Sequence, residues 1–280
     1  MDITVPILIN STHYVENTDS TYRYRLPAGG ITLNHGDSAS LTSIAMYYSW
    51  FNISEENGNN QLTLIFDGVN YPITFPDGYY SIDTLNQYIQ HFCIENNLYL
   101  KDASGNHVYY LTFTTNPSRY KVQLDAFVME TSLPSGWTDP GFPFPLSPIT
   151  PQVAIPANMN KILGFSVGTY PPTASGSKYE TLGDLTPQLS PVQSILIRSN
   201  IISNGRYSNP TDLLATFTVN NNTAFGQLVE YEPNDYSFMT VQPGKYEFIE
   251  ISFIDQVFKT LKIQDKDITM MMLIKIHNTK

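Results

Sequence analysis

The sequence predicts an all-β fold, and three observations carry that prediction. Short segments with a period of two recur along the chain, a single helical stripe interrupts them, and Gly, Pro, Asn and Asp punctuate the intervals. The closing stretch, residues 246–276, shows the pattern most fully. Ile249, Ile251 and Phe253 alternate with Glu250 and Ser252, as on a half-buried strand. A charged turn leads to a second strand with Ile268, Met270, Met272, Ile274 and Ile276 on one face and Met271 and Leu273 on the other. A chain of this length cannot readily cover both faces of an antiparallel sheet, so a neighbouring subunit or a loop is expected over Met271 and Leu273.

The other elements follow in order. Residues 1–30 have weak periodicity and little charge and end in Pro27-Ala28-Gly29-Gly30, so they read as an extended N-terminal arm. Residues 41–53 are β-branched and aromatic on both faces. The turn Asn57-Gly58-Asn59-Asn60 leads into a strand at 61–66, and Asp67-Gly68 returns the chain through 69–75 as a hairpin. A helix is predicted over about 81–96. Ser81 is a good N-cap, Asp83 suits the positive end of the helix dipole, and Ile82, Leu85, Ile89, Phe92 and Cys93 form one apolar stripe. Strands resume at 108–115 and 120–126, the latter alternating Tyr120, Val122, Leu124 and Ala126 with Lys121, Gln123 and Asp125.

Residues 131–160 are Pro-rich. Proline removes ladder donors, so no central strand is expected there. Loops this long in a compact domain are usually functional or poorly ordered, and Trp137, Phe142 and Phe144 give this one side chains to bury. After a short KILGF segment and an irregular stretch at 170–191, strands are predicted at 192–202, 213–219, 246–254 and 268–277. Many short strands with one helix point to a β-sandwich: a single jelly roll with one helical insertion and long Pro-rich loops. With no internal repeat or boundary visible, residues 31–280 read as one domain.

Composition narrows the function. Only 14% of residues are charged while Tyr and Pro each number 19, which suits a surface that packs against protein, since charge is depleted and aromatics are enriched at interface cores. The net charge of −10 and the scatter of 15 Lys and Arg argue against direct nucleic-acid binding. The single Cys93 excludes an internal disulfide framework, and neither a signal peptide nor an apolar run long enough to span a bilayer is visible. The sequons at Asn10, Asn52 and Asn221 therefore read as chance, and the chain as made in a reducing cytoplasm.

No residue pattern defines a catalytic, cofactor or metal site. His13, His35, His91, His107 and His277 lack metal-ligand spacing. Cys93 lies on the helix's apolar stripe and reads as a small core residue. Asp265 and Asp267 flank Lys266 in a turn without the ligand set of a calcium loop. Glu230, Glu232 and Asp235 could pair as carboxylates, but sequence gives no separation between them. Trp50 sits within a strand and reads as core, whereas Trp137 lies on the Pro-rich loop.

The second half resembles a known family. Its features run in order: NKILGF at 160–165, SPVQSILIRSNIISN at 190–204, LLATFTV at 213–219, the Gly-x-x-x-x-Tyr-x-Pro stretch at 226–233, and the closing strand pair. The entry to the helix, Gly78-Tyr79-Tyr80-Ser81-Ile82 with Leu85-Asn86, is also similar. These segments, roughly 70–100 and 160–277, resemble the single jelly-roll penton, or minor capsid, proteins of virophages, polinton-like viruses and adintoviruses. The resemblance implies a homopentamer at the fivefold vertices of an icosahedral capsid, beside a double jelly-roll major capsid protein, in the virion and without enzymatic activity. The chain lacks the Arg-Gly-Asp motif of some adenovirus penton bases. Candidate subunit-interface residues are Trp137, Phe142, Phe144, Met271 and Leu273. The alternative is a receptor- or glycan-binding jelly-roll head of a spike or fibre, and a glycosidase-type enzyme ranks third.

Overall fold

The computed structural model describes residues 2–18, 20–190, 192–205, 209–219 and 224–277. Two compact units account for the chain: unit 1 from Met1–Trp50 with Val192–Lys280, and unit 2 from Phe51–Pro191. Unit 1 opens with β1 (Ile3–Asn10), β2 (Thr21–Arg25), β3 (Ile31–Leu33) and β4 (Ser38–Tyr47). Unit 2 supplies β5 (Gln61–Phe66), β6 (Val69–Thr74), α1 (Ile82–Glu95), β7 (Leu100–Lys101), β8 (His107–Val108) and β9 (Leu111–Asn116). It continues with β10 (Lys121–Ala126), β11 (Gln152–Ile155), α2 (Met159–Leu163), β12 (Gly168–Tyr170) and β13 (Tyr179–Leu182). The chain then returns to unit 1 for β14 (Ser194–Ser199), β15 (Leu213–Thr218), β16 (Leu228–Tyr231) and β17 (Met239–Thr240). It closes with β18 (Gly244–Tyr246), β19 (Phe248–Asp255) and β20 (Ile268–Ile276).

Unit 1 is an eight-stranded jelly roll. One sheet has the order β1-β20-β4-β16, with β17 also paired to β4; the other has the order β15-β14-β19-β2, and β3 and β18 form a separate ribbon. All pairs are antiparallel. Among these eight strands, chain order crosses between the two sheets at every step except β14 to β15, which is the jelly-roll path. The inner faces meet: Phe217 of β15 stacks on Tyr231 of β16 with centroids 5.2 Å apart. Ile7, Ile9, Ile44, Met46, Met270 and Met272 of the first sheet are buried, as are Tyr22, Ile195, Ile197, Ile249, Ile251 and Phe253 of the second.

A bulge sets the register of β4 against β20. Met271 pairs with Ser43 and Met272 with Leu41, leaving Thr42 as the extra residue, and its Oγ1 donates to the Met271 carbonyl at 3.0 Å. A bulge shifts the phase of the alternation. Leu41 and Ile44, three apart, are accordingly both buried, as are Ala39 and Met46.

The opening residues are not an arm. Ile3–Asn10 pairs with β20 over its full length, and Thr21–Arg25 pairs with β19, so residues 1–30 contain two of the eight jelly-roll strands. Ile7 and Ile9 point inward with a period of two, and Pro6 is tolerated because β1 is an edge strand. Nor do residues 31–280 form one domain. The helix belongs to unit 2, which is inserted between β4 and β14 and has its own core.

In unit 2 the sheets are β12-β11-β5-β6 and β13-β10-β9, with β7 and β8 as a short ribbon. The helix forms as its sequence predicts. Ser81 Oγ accepts from the Thr84 amide at 3.1 Å and Thr84 Oγ1 accepts from the Ser81 amide at 2.9 Å, a reciprocal capping arrangement. Ile82, Leu85, Ile89 and Cys93 are buried, and Asn86 Oδ1 accepts from the Phe113 amide of β9 at 2.8 Å. The Pro-rich stretch, expected to lack a central strand, contains β11 between β12 and β5. Pro151 and Pro156 flank its four residues without interrupting them, so its ladder donors remain. The KILGF segment forms the short helix α2, closed by Gly164 at φ +73°, where a Cβ would lie 2.8 Å from the Pro187 nitrogen.

Candidate functional site

Burial divides the five expected interface residues into two groups. Within unit 2, Asp139 Oδ1 accepts from the Gly141 amide at 2.8 Å and the Phe142 amide at 2.6 Å, a turn that directs Phe142 inward. Phe142 is 4% exposed, 5.1 Å from the Tyr110 ring and 5.3 Å from Phe144. Trp137 and Phe144 are partly buried against the same core. The loop's aromatic residues therefore pack into their own unit. For Phe142 this corrects the expected surface role, because a side chain already removed from water has no area left to offer a partner.

Met271 and Leu273 behave differently. On β20 the even-numbered residues face the core and the odd-numbered ones face out, leaving Met271 40% exposed and Leu273 half-buried. The described chain does not cover Met271. Register builds the outer face around it in rows: Leu8, Met271 and Ser43; Pro6 beside Leu273; and Asn10, Thr269, Ala45 and Glu230. At one end Tyr47 pairs with Leu228. Leu8, Leu228 and Tyr47 are 47%, 46% and 38% exposed. The small Ser43 and Ala45 of β4 form a low strip between Met271 and Leu228. The result is a sheet face on which the exposed pair Leu8 and Met271 is separated from the exposed pair Tyr47 and Leu228 by the row Asn10, Thr269, Ala45 and Glu230.

Exposed apolar side chains are common singly, and a contiguous patch is what carries information. Sequence alternation located Met271 and Leu273. Leu8 was missed because β1 read as an arm, and Tyr47 and Leu228 because only pairing with β4 brings them to the same face. Their signal in the sequence was the apolar residue at alternate positions on each strand.

The residues weighed for chemistry remain apart. Burial pushes the Cys93 thiol up to about 12, so it stays protonated and unreactive at neutral pH. Asp265 Oδ1 accepts from the Asp267 amide at 2.9 Å, a closed turn. His91 pairs with Glu95 along the helix at 3.2 Å, and His277 with Asp2 at 3.1 Å. Among the described residues no group of three His, Cys, Asp or Glu is placed to hold a metal ion. Glu230, Glu232 and Asp235 are exposed at the β16 edge. Trp50 is buried, 4.2 Å from Tyr48, as expected of a core residue, although it lies beyond the end of β4 rather than within a strand. Of the sequons, the one at Asn221 lies outside the described residues. Asn52 is buried, donating to the Tyr80 and Leu189 carbonyls at 2.8 and 2.9 Å. No helix among the described residues is long and apolar enough to cross a membrane.

Fold and site together define an all-β protein: an eight-stranded jelly roll with a β-rich insertion and one apolar outer sheet face. Among solved structures the chain is similar to the selenomethionine-labelled mavirus penton protein, with 10% sequence identity, a TM-score of 0.49 and coverage of 99% of both chains. It is also similar to a chain of the Sputnik virophage structure, with 12% identity, a TM-score of 0.46 and coverage of 98% of this chain and 97% of that one. No family model and no curated protein matches the chain.

Proposed function

We propose that this chain is a structural capsid protein: a penton whose copies form homopentamers closing the fivefold vertices of an icosahedral shell. The observation that carries this reading is the outer face of the β1-β20-β4-β16 sheet, where Leu8, Met271, Leu228 and Tyr47 are all exposed on the same side. Removing such side chains from water stabilises an association by about 25 cal/mol per Å² of apolar area. The surface sits on hydrogen-bonded strands rather than on a loop, so little conformational entropy is lost when a partner covers it.

In this reading the function is mechanical. The jelly roll is a rigid wedge, copies meet head to tail around the fivefold axis, and a double jelly-roll major capsid protein surrounds the ring. The protein is made in the host cytoplasm, resides at the virion vertex and has no enzymatic role. The test is the mass of the purified protein by light scattering, with negative-stain images of the same fraction. Fivefold rings are expected. Trimers with measurable glycan affinity would transfer the assignment to a receptor-binding head, and a chain that stays monomeric at high concentration contradicts it.

A further inference from the structure

A head-to-tail ring needs two different surfaces on each copy, and the apolar face supplies only one. The other sheet carries a face of contrasting chemistry. On β2 and β19, Arg23 lies opposite Glu250 and Arg25 opposite Phe248; on β14, Arg198 lies opposite Ser252. The alternate residues Tyr22, Ile249, Ile251 and Ser199 are buried, so this set faces out. Three of the four described arginines thus share one sheet face. Arg23 is bonded to Glu250 at 2.6 Å and Arg198 to Asp212 at 2.6 Å. Arg25 instead stands over the ring of Phe248, 6.0 Å from its centroid, beside Arg23 at 5.6 Å. Phe248 is itself 37% exposed. Arginine on an aromatic ring, presented to solvent from a rigid strand, is the composition of an interface anchor.

The apolar face has the matching charge. Glu230 lies on it, one row from Met271, and the exposed Glu232 and Asp235 follow along the same edge. These three carboxylates pair with no cation among the described residues, and Arg25 pairs with no described carboxylate.

We infer that the Arg23–Arg25–Phe248 face of one copy docks on the Met271–Ala45–Leu228 face of the next, with Arg25 against the carboxylate row that begins at Glu230. The assignment rests on the capsid reading and specifies which surfaces build the ring. The occupant is a second copy of this chain because the two faces are complementary in charge and both belong to the same protein.

Charge exchange tests it by light scattering of the full chain at matched concentrations. Arg25→Glu alone and Glu230→Arg alone should each weaken self-association by about tenfold or more. The chain carrying both substitutions should recover most of that loss, and wild-type assembly should weaken as salt is raised. Cooperative melting curves, with melting temperatures equal to that of the wild type at concentrations where all are dissociated, would exclude misfolding of the single variants. A wild type that assembles, with single variants that assemble equally well or a double variant no better than the worse single, overturns the face assignment alone. A wild type that never assembles overturns the capsid reading and this assignment with it.

Discussion

Two apolar regions of the molecule end in opposite places. In unit 2 the aromatic residues of the Pro-rich loop turn inward: Phe142 is 4% exposed and packs against the rings of Tyr110 and Phe144. In unit 1 the odd-numbered residues of β20 turn outward, and Met271 is 40% exposed in the middle of its strand. The difference is backbone geometry. A loop held by a side-chain turn at Asp139 can fold its aromatics onto the nearest core, whereas a strand must send alternate residues to opposite faces. Apolar content in a loop therefore says little about partners. On the second face of a paired strand it says a great deal, because nothing local can bury it.

The comparison can be broken by substitution. Phe142→Ala should cost about 3–5 kcal/mol of stability in unit 2, measured by denaturant unfolding, because it opens a cavity in a filled core. A loss below about 1 kcal/mol would mean that the loop is not part of that core.

Raising the pH should sharpen it next. Cys93 and Tyr110 both lie in the unit 2 core, and burial pushes each up to about 12, from ordinary values of 9.0 and 10.0. For each group the unfolded chain ionises first. The stability that depends on keeping them neutral is fully present below about pH 9 and is lost as pH rises toward 12. Unfolding followed against pH should show this decline, and Cys93→Ala should flatten its early part. In the folded protein the Cys93 thiol should also resist alkylation at pH 8 until denaturant is added.

A smaller effect is expected at the helix start, where Ser81→Ala removes the cap on Thr84 and should cost about 1 kcal/mol. The smallest belongs to the exposed face. Met271→Asp should change the stability of the isolated chain by no more than about 0.5 kcal/mol, since a surface position away from any buried network tolerates substitution.

Much of the fold was legible in the sequence. The hairpin at Asp67-Gly68, the capped helix with its Ile82–Leu85–Ile89–Cys93 stripe, and the two closing strands follow from turn chemistry and periodicity, and the structure forms all of them. The jelly-roll class was legible too, but its membership was not. Whether residues 1–30 are an arm or two strands depends on partners more than 200 residues away: Ile3 pairs with Ile276 and Arg25 with Phe248. β1 also carries Pro6, which local reading counts against a strand although an edge position accommodates it. The insertion of unit 2 was hidden for a related reason. Its strands have the same period as those of the jelly roll, so periodicity alone cannot assign them to separate cores.

The candidate site was half legible. Met271 and Leu273 stood out because both faces of one strand were apolar. Leu8, Tyr47 and Leu228 required the register of three different pairings. The arginine face was not legible at all, since Arg23, Arg25 and Arg198 are brought together only by β19 lying between β2 and β14.

The most direct measurement is the solution mass of the chain carrying Met271→Asp and Leu273→Asp, by light scattering beside the wild type at equal concentration, with melting curves for both. The account predicts a folded monomer that still unfolds in one cooperative transition, while the wild type forms rings of five and melts higher by the stabilisation that assembly adds. A double variant that assembles as the wild type does would contradict it.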